Sequence, residues 1–191
     1  MGFFIATCIA MGYKRKALIL NKDDFHKTLR RIAHQIIEGV PQVSKICLIG
    51  IQRRGVNLAY RLKKIIDSLE KVDIPLGTID ITLYRDDLTA IGPNPEVRST
   101  KIDFALDGKI VILVDDVLFT GRSARAALDA LMDFGRPEAV KLVVLVDRGH
   151  RQLPIRADFI GKNIPTSLQE EVAVKVEEID GKDEVVIWEK D

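Results

Sequence analysis

The sequence predicts an α/β domain in which helices flank a mostly parallel central sheet. Short apolar runs alternate with longer segments of helical periodicity, which is typical of strand–helix–strand units. The run Val111–Val114 is apolar at all four positions, as expected for a strand buried on both faces. The 191 residues contain no internal repeat and no interdomain linker, so they suit a single domain.

The elements of the predicted sheet follow one another from residue 21 to residue 146. Asn21 or Asp23 can cap a first helix that runs to about Glu38. The patterns then predict, in chain order, strand Ile46–Ile51, helix Gly55–Leu69, strand Gly77–Leu83, strand Val111–Val114, helix Ala124–Leu131 and strand Val140–Val146.

The C-terminal part of the chain is predicted to form a small hood from about residue 147 to residue 191. Gln152–Ser167 is rich in turn residues. Two strands, Val172–Ile179 and Glu184–Trp188, then surround the turn Asp180-Gly181. We expect this hood to cover the carboxyl edge of the sheet.

Composition and the N-terminus place the protein in the cytoplasm. The formal net charge of +1 gives no overall attraction to nucleic acid or to membranes. Only Cys8 and Cys47 are present, so we expect no disulfide framework, and Cys47 is predicted to be a core residue. The apolar run Phe3–Met11 is too short to span a bilayer, although it could be a weak signal sequence. We predict instead that residues 1–16 are an N-terminal extension of a domain spanning 17–191, with translation starting at Met11.

Paired carboxylates and a hydroxyl-rich turn follow the run Val111–Val114. Carboxylates suit hydroxyls or a cation, whereas a Thr-Gly turn before a helix suits an anion. A phosphorylated sugar bound at the carboxyl end of the strand satisfies both. The alternative is an ordinary strand followed by a capped helix. The candidate segment comprises Val114, Asp115, Asp116, Val117, Leu118, Phe119, Thr120, Gly121, Arg122 and Ser123.

Two further strand ends carry basic residues. Gln52, Arg53, Arg54 and Gly55 form a turn that suits a polyanion, although a solvated basic turn has the same composition. At the end of the next predicted strand, Val146, Asp147 and Arg148 open the hood, where Arg148 could add positive charge and backbone groups could read a base. His150 has no evident orienting partner and is more doubtful.

The polar segment from about residue 84 to residue 107 is predicted to be a flexible loop. It begins with Tyr84, Arg85, Asp86 and Asp87, directly after a strand. A cover that excludes water would suit a reaction with an unstable sugar cation. The alternative is a disordered surface excursion without function.

One face of the first helix is basic. Lys27, Arg30, Arg31 and His34 have the spacing i, i+3, i+4 and i+7, without an interleaved acid. Most such stripes are solvated surface, but twofold pairing of subunits could double this one into an RNA groove.

The segment Asp115–Ser123 resembles the phosphoribosyl-pyrophosphate signature of type I phosphoribosyltransferases. The resemblance implies that Asp115 and Asp116 bind the ribose hydroxyls and that Thr120 to Ser123 wrap the 5-phosphate. It also implies that residues 52–55 form a pyrophosphate loop, often with a strained peptide bond, and that Mg²⁺ accompanies the substrate. Arg53, Arg85 and Arg148 would then neutralise the departing pyrophosphate, with Asp115, Asp116 and Arg85 as the catalytic residues.

Longer segments resemble one family in particular, the bifunctional pyrimidine-operon attenuation protein and uracil phosphoribosyltransferase. The segments are Arg31–His34, Ile81–Leu88, Val111–Arg122 and Val144–Ser167. The resemblance implies synthesis of UMP from uracil, and binding of a pyrimidine-operon mRNA hairpin promoted by UMP or UTP. It also implies a homodimer or homotetramer with RNA contacts at Arg30, Arg31, His34, Arg156 and Lys162.

The chain departs from this family's pattern at three positions. Gly39 replaces an arginine, Arg30 replaces a threonine, and Ser123 replaces a threonine with another hydroxyl. Two other functions remain open: an RNA-binding nucleotide sensor without turnover, and a salvage enzyme for another base without RNA binding.

Overall fold

The computed structural model describes residues 12–84 and 100–190. Its elements are β1 Tyr13–Leu20, α1 Lys22–Gly39, β2 Ile46–Ile51, α2 Arg54–Glu70, β3 Leu76–Ile79, β4 Ile110–Leu118, α3 Arg122–Leu131, β5 Ala139–Asp147, β6 Phe159–Asn163, β7 Glu170–Lys175, α4 Glu177–Asp180 and β8 Glu184–Lys190. In these two ranges no helix is long and apolar enough to cross a membrane.

A five-stranded parallel sheet forms the centre of the molecule, in the order β3-β2-β4-β5-β6. Apolar side chains of β4 pack alternately against α1 and α2 on one face and against α3 on the other. Every residue of β2 is buried, and so is the run Val111–Val114. The predicted α/β class is therefore confirmed. Burial also raises the pKa of the Cys47 thiol to about 11, which fits its prediction as a core residue.

Helix α1 follows the sequence prediction closely. Its N-cap is Asn21, whose side-chain oxygen accepts the backbone N–H of Asp24 at 2.9 Å. Phe25, Leu29, Ile32 and Ile36 are all buried against the sheet. The opposite face is left to solvent, as an amphipathic helix requires.

The hood is an antiparallel sheet in the order β1-β8-β7, built from both ends of the chain. Strand β1 was not predicted, and its first four residues were assigned to the N-terminal extension. That boundary is wrong, because Tyr13 already pairs with Lys190. Most side chains of β1 are at least partly exposed, and the strand pairs with β8 alone, so it lacks the apolar alternation of a half-buried strand.

Three further predictions in the outer elements are corrected. The segment Gln152–Ser167 contains β6, a fifth strand of the parallel sheet. Strand β7 ends at Lys175, and a helical turn replaces the predicted strand from there to Ile179. The reason is that the carboxylates of Asp180 and Asp183 accept hydrogen bonds from the N–H groups of Val176 and Glu177. Strand β3 ends at Ile79, before a 3-10 turn over Thr82–Tyr84.

Ion pairs attach the hood to helices α1 and α2. Arg61 donates to both oxygens of Asp183 at 2.9 Å and to both oxygens of Glu178 at 2.7–2.9 Å. His26 contacts the same Asp183 carboxylate at 2.9 Å. Burial opposes the charge of Asp183, but the bonds from Arg61 and His26 outweigh it and hold its pKa below the ordinary value.

Candidate active site

The paired carboxylates lie at the carboxyl end of the central strand. Strand β4 continues to Leu118, so Asp115 and Asp116 are inside the strand rather than after it. Both are partly exposed. The backbone N–H of Asp116 donates to Asp115 Oδ1 at 2.9 Å, and that of Val117 donates to Asp116 Oδ1 at 3.0 Å. These local bonds orient both carboxylates at the sheet edge, where ligands bind in open α/β folds.

A tight turn connects the carboxylates to helix α3. Gly121 adopts a φ of 93°, which favours glycine, and it begins the helix without a side-chain cap. The first N–H groups of a helix have no intrahelical acceptor, so this turn can hold an anion. This geometry is compatible with a 5-phosphate site at Thr120 to Ser123. That site stays a prediction.

The turn at residues 52–55 adjoins the carboxylates through a glycine contact. The Gln52–Arg53 peptide bond is cis. A Cβ at Gly55 would lie 2.4 Å from the carbonyl oxygen of Val114 and 3.3 Å from Cα of Asp115. Only glycine therefore allows this turn to approach β4 so closely. The contact brings the predicted pyrophosphate loop next to the predicted ribose site.

The two arginines of this turn have different environments. The Arg53 side chain is exposed. Arg54 instead forms a bidentate pair with Asp180 of the hood, with N–O distances of 2.9 and 3.0 Å. Burial opposes the charge of Arg54, but the bonds to Asp180 and the nearby charge of Asp116 raise its pKa. Arg53 is thus the better candidate for contacting pyrophosphate, and Arg54 ties the turn to the hood.

Arg148 does not take the position expected for a pyrophosphate contact. Its guanidinium is buried, donates to Thr166 Oγ1 at 3.2 Å and to the Glu170 carbonyl at 2.5 Å, and lies 4.1 Å above the Phe119 ring. Burial lowers its pKa. In the structure Arg148 therefore holds the hood loop at residues 166–170 in place, instead of facing the predicted pyrophosphate side. His150 is exposed, lies 2.5 Å from the Thr166 carbonyl and makes a T-shaped contact with the Phe119 ring, with centroids 6.0 Å apart.

The basic face of α1 is exposed at all four predicted positions, Lys27, Arg30, Arg31 and His34. Asp24 approaches Lys27 at 4.0 Å, so the stripe is not free of acids. The Arg31 guanidinium donates to the carbonyls of Ile160 and Gly161 in β6. This contact joins the α1 face to the strand that carries Lys162.

The remaining predicted site residues lie at the approach to β6, at the end of β5 and around Tyr84. Arg156 and Lys162 are exposed, at the approach to β6 and within it. Asp147 lies beside Leu118 in the sheet, and Val146 is buried. The Tyr84 hydroxyl donates to Asp133 at 2.5 Å, which raises the pKa of Tyr84. Arg85, Asp86 and Asp87 lie outside the described residues.

Comparison with known proteins decides the family. The family described as phosphoribosyl transferase domain matches residues 18–177. The chain belongs to the phosphoribosyltransferase family. It is 57% identical over 176 residues to the bifunctional protein PyrR of Thermus aquaticus, covering 92% of this chain and 97% of that protein. PyrR of Pelotomaculum thermopropionicum is also 57% identical, with the same coverage. The resemblance stated from the sequence is thus confirmed.

Solved phosphoribosyltransferases share the fold. The hypoxanthine phosphoribosyltransferase of Trypanosoma cruzi has a TM-score of 0.68 at 17% identity, covering 93% of this chain and 98% of its own. A hypoxanthine-guanine phosphoribosyltransferase of Bacillus anthracis has a TM-score of 0.63 at 22% identity, covering 80% and 86%. At these identities the likeness concerns the fold alone.

Sequence reasoning missed two residues that shape this phosphoribosyltransferase site. Asp180 holds Arg54, but the two are far apart in the chain and no local pattern links them. Arg151 bonds to several backbone carbonyls around residues 118–121, the turn before α3, which we call the phosphate turn after the predicted 5-phosphate site. Its spacing of four from Asp147, directly after a strand, was the available signal.

Proposed function

We propose that the protein transfers the phosphoribosyl group of phosphoribosyl pyrophosphate to uracil, giving UMP and pyrophosphate. The observation that carries this proposal is the contact at Gly55. It places a basic turn beside two carboxylates that lead directly into an uncapped helix N-terminus. In this arrangement the pyrophosphate would lie against the basic turn, the ribose hydroxyls against the carboxylates and the 5-phosphate against the helix N-terminus.

The reaction requires charge stabilisation rather than a protein nucleophile. As pyrophosphate leaves, positive charge develops on the anomeric carbon and negative charge grows on the leaving group. Asp115 and Asp116 would hold the ribose and favour the positive charge, while Arg53 would neutralise the leaving group. Arg85, the residue after Tyr84 in the sequence, is proposed to act on the same leaving group.

The carboxylates of Asp115 and Asp116 fit Mg²⁺ as a cofactor. Asp115 and Asp116 offer the carboxylate oxygens that this cation prefers. The described ranges contain no group of three or more side chains that could hold a metal ion by themselves. The two carboxylates would therefore hold Mg²⁺ together with substrate oxygens and water. The ion would supply charge neutralisation on the pyrophosphate.

The base is proposed to lie between the sheet edge and the hood. A cavity of about 190 Å³ separates Asp116 and Val117 from strand β7 and the Arg54–Asp180 pair. It adjoins the proposed ribose position and has apolar and charged walls, which suits a planar base with polar edges. Val146 and Asp147 remain proposed contributors from the adjoining strand.

We also propose regulation through RNA, which the name of the relatives, bifunctional protein PyrR, supports. Arg30, His34 and Lys162 are exposed basic or titratable groups on two adjoining elements, which suits phosphate contacts of an mRNA hairpin. UMP or UTP would promote this binding. A cytoplasmic homodimer or homotetramer would present two or more such faces.

A base-selectivity assay tests the enzymatic proposal. The protein is mixed with phosphoribosyl pyrophosphate, Mg²⁺ and each nucleobase, and pyrophosphate release is measured. We expect release with uracil. Asp116→Asn should lower turnover by about ten- to a thousandfold, whereas Asp129→Asn on the exposed side of α3 should not. Release only with another base would favour a different salvage enzyme, and no release with any base would favour a nucleotide sensor.

A salt titration of RNA binding tests the regulatory proposal. Arg30→Ala combined with His34→Ala should weaken binding of a pyrimidine-operon hairpin and reduce its salt dependence, with UMP synthesis unchanged. Lys45→Ala, an exposed lysine paired with Glu138 on another surface, is the control. Hairpin affinity unchanged in the double variant would contradict the proposal.

A further inference from the structure

The turn that would bind the 5-phosphate is held from behind by the first residues of the hood. The backbone N–H of Arg148 donates to the carbonyl of Leu118 at 3.1 Å. The N–H groups of Gln152 and Leu153 donate to the carbonyl of Thr120 at 3.0 and 3.1 Å. All these bonds come from one segment, residues 147–155, which we call the backing segment.

Arg151 is the side chain that completes this attachment. Its guanidinium donates to the carbonyl of Phe119 at 2.7 Å, with a longer bond to Leu118 at 3.3 Å. The same nitrogen, Nη1, also lies 3.1 Å from the carbonyl of Gly149, while Nε donates to the carbonyl of Ile155 at 3.0 Å and Nη2 to the carboxylate of Asp147. One planar guanidinium thus fixes both the phosphate turn and the segment behind it.

The direction of these bonds determines what the turn presents to a ligand. In a trans peptide the C=O and the following N–H point in opposite directions. Carbonyls 118, 119 and 120 all face the backing segment. The N–H groups of Phe119, Thr120 and Gly121 therefore point away from the backing segment. If a carbonyl turned in the same direction as these N–H groups, its partial negative charge would repel a phosphate.

We propose that Arg151 is a positioning residue for the 5-phosphate, acting through the peptide planes of residues 118–120. This inference rests on the proposed function, because it assigns the turn to the 5-phosphate. Because the Arg151 donors are directed to backbone carbonyls and to Asp147, it would act through the turn and is a positioning rather than a catalytic residue. A purely structural Arg151 would support the fold without affecting one part of the ligand more than another.

The test compares ligands of the phosphate turn and of the pyrophosphate loop. Dissociation constants of ribose 5-phosphate and of pyrophosphate are measured by calorimetry for wild type, Arg151→Gln and Arg151→Lys. We expect Arg151→Gln to weaken ribose 5-phosphate binding roughly tenfold to a hundredfold, since displacements of about 1 Å can have effects of that size. Pyrophosphate binding should stay within about twofold, because its loop has its own support. Lysine keeps the charge but offers one nitrogen, so Arg151→Lys should fall in between.

Steady-state kinetics and a matched control complete the design. KM for phosphoribosyl pyrophosphate should rise more than kcat falls in Arg151→Gln. Arg136→Gln is the control, because Arg136 also donates to backbone carbonyls, those of Met132 and Gly135, but at the far end of α3. The Arg151 side chain is 23% exposed, so water can reach its acceptors and we expect the variant to fold.

The outcomes separate this inference from the proposed function. Unchanged ribose 5-phosphate binding in Arg151→Gln, or an equal loss of both ligands, overturns the positioning role. If the wild type makes no nucleotide with any base while Arg151→Gln still loses ribose 5-phosphate selectively, the proposed reaction fails and the positioning role stands. An equal effect of Arg136→Gln would overturn the inference as well.

Discussion

Gly55→Ala tests whether the contact between α2 and β4 sets the spacing of the ligand-binding segments. The added methyl group would lie 2.4 Å from the Val114 carbonyl oxygen, where ordinary contacts are 3.4 Å or longer. Both contacting groups are backbone, so no side chain can rotate away. The turn at residues 52–55 and the strand carrying Asp115 must therefore separate by about 1 Å.

This separation has a predictable effect on both activity and stability. A misplacement of about 1 Å can lower a rate about a hundredfold, and here it would lie between the proposed pyrophosphate and ribose positions. Overpacking costs about 1–3 kcal/mol, whereas alanine normally gains about 1 kcal/mol over glycine inside a helix. We expect the free energy of unfolding to fall by about 1 kcal/mol, opposite in sign to an ordinary glycine-to-alanine change in a helix.

The assay is uracil-dependent UMP synthesis, together with urea unfolding of the same samples. Gly108→Ala is the control, because nothing lies within 4 Å of its Cβ position and its φ of 71° makes alanine costly. That variant should lose about 1–2 kcal/mol yet keep its activity when folded. Wild-type activity in Gly55→Ala, or a gain in its stability, would refute the reasoning.

Three other substitutions test the hood and the phosphate turn. Asp183→Asn should reduce stability at neutral pH, and the difference from wild type should shrink as the pH falls from about 4 through the depressed pKa of the folded state, because protonation then removes the charge that Arg61 and His26 stabilise. A difference in urea unfolding that does not shrink with falling pH would contradict this. Arg61→Met should lower the free energy of unfolding by about 3 kcal/mol, because it leaves the buried Asp183 carboxylate short of a partner. Lys45→Met, at a half-exposed pair, should lower it by less than about 1 kcal/mol. Equal effects of the two variants in thermal unfolding would argue against this difference. Gly121→Ala should weaken ribose 5-phosphate binding more than pyrophosphate binding, since its φ of 93° disfavours a side chain, and calorimetry showing equal binding would exclude that role.

The central elements could be predicted because a strand buried on both faces requires a continuous run of apolar residues, which is visible in the local sequence. The bounds of β2 were predicted correctly as Ile46–Ile51, and the apolar run of β4 directly preceded the two carboxylates. Helix α1 was identified from its N-cap and its apolar face. In each case the signal lies within a few residues of the feature that it predicts.

The missed strands lack such a local signal. Strand β1 takes its stability from pairing with β8, about 170 residues later in the chain. In β6, Gly161 interrupts the apolar pattern, and a Cβ there would lie 2.3 Å from the Leu145 carbonyl oxygen. Close backbone approach, rather than side-chain burial, selects that residue. The Arg54–Asp180 pair was not predicted for a similar reason, since Asp180 lies in the hood, far from Arg54 in the chain.

The site's three parts are held by separate contacts within the protein. The β4 ladder and local N–H bonds hold the carboxylates, the Gly55 contact and the Arg54–Asp180 pair hold the basic turn, and Arg151 holds the phosphate turn. Groups that the protein itself holds in place need little reorganisation as charge separates in the transition state. Such preorganisation is the main source of electrostatic catalysis. Because two of the three supports come from the hood or its first residues, a change there should affect ligand binding even though the hood supplies neither carboxylate.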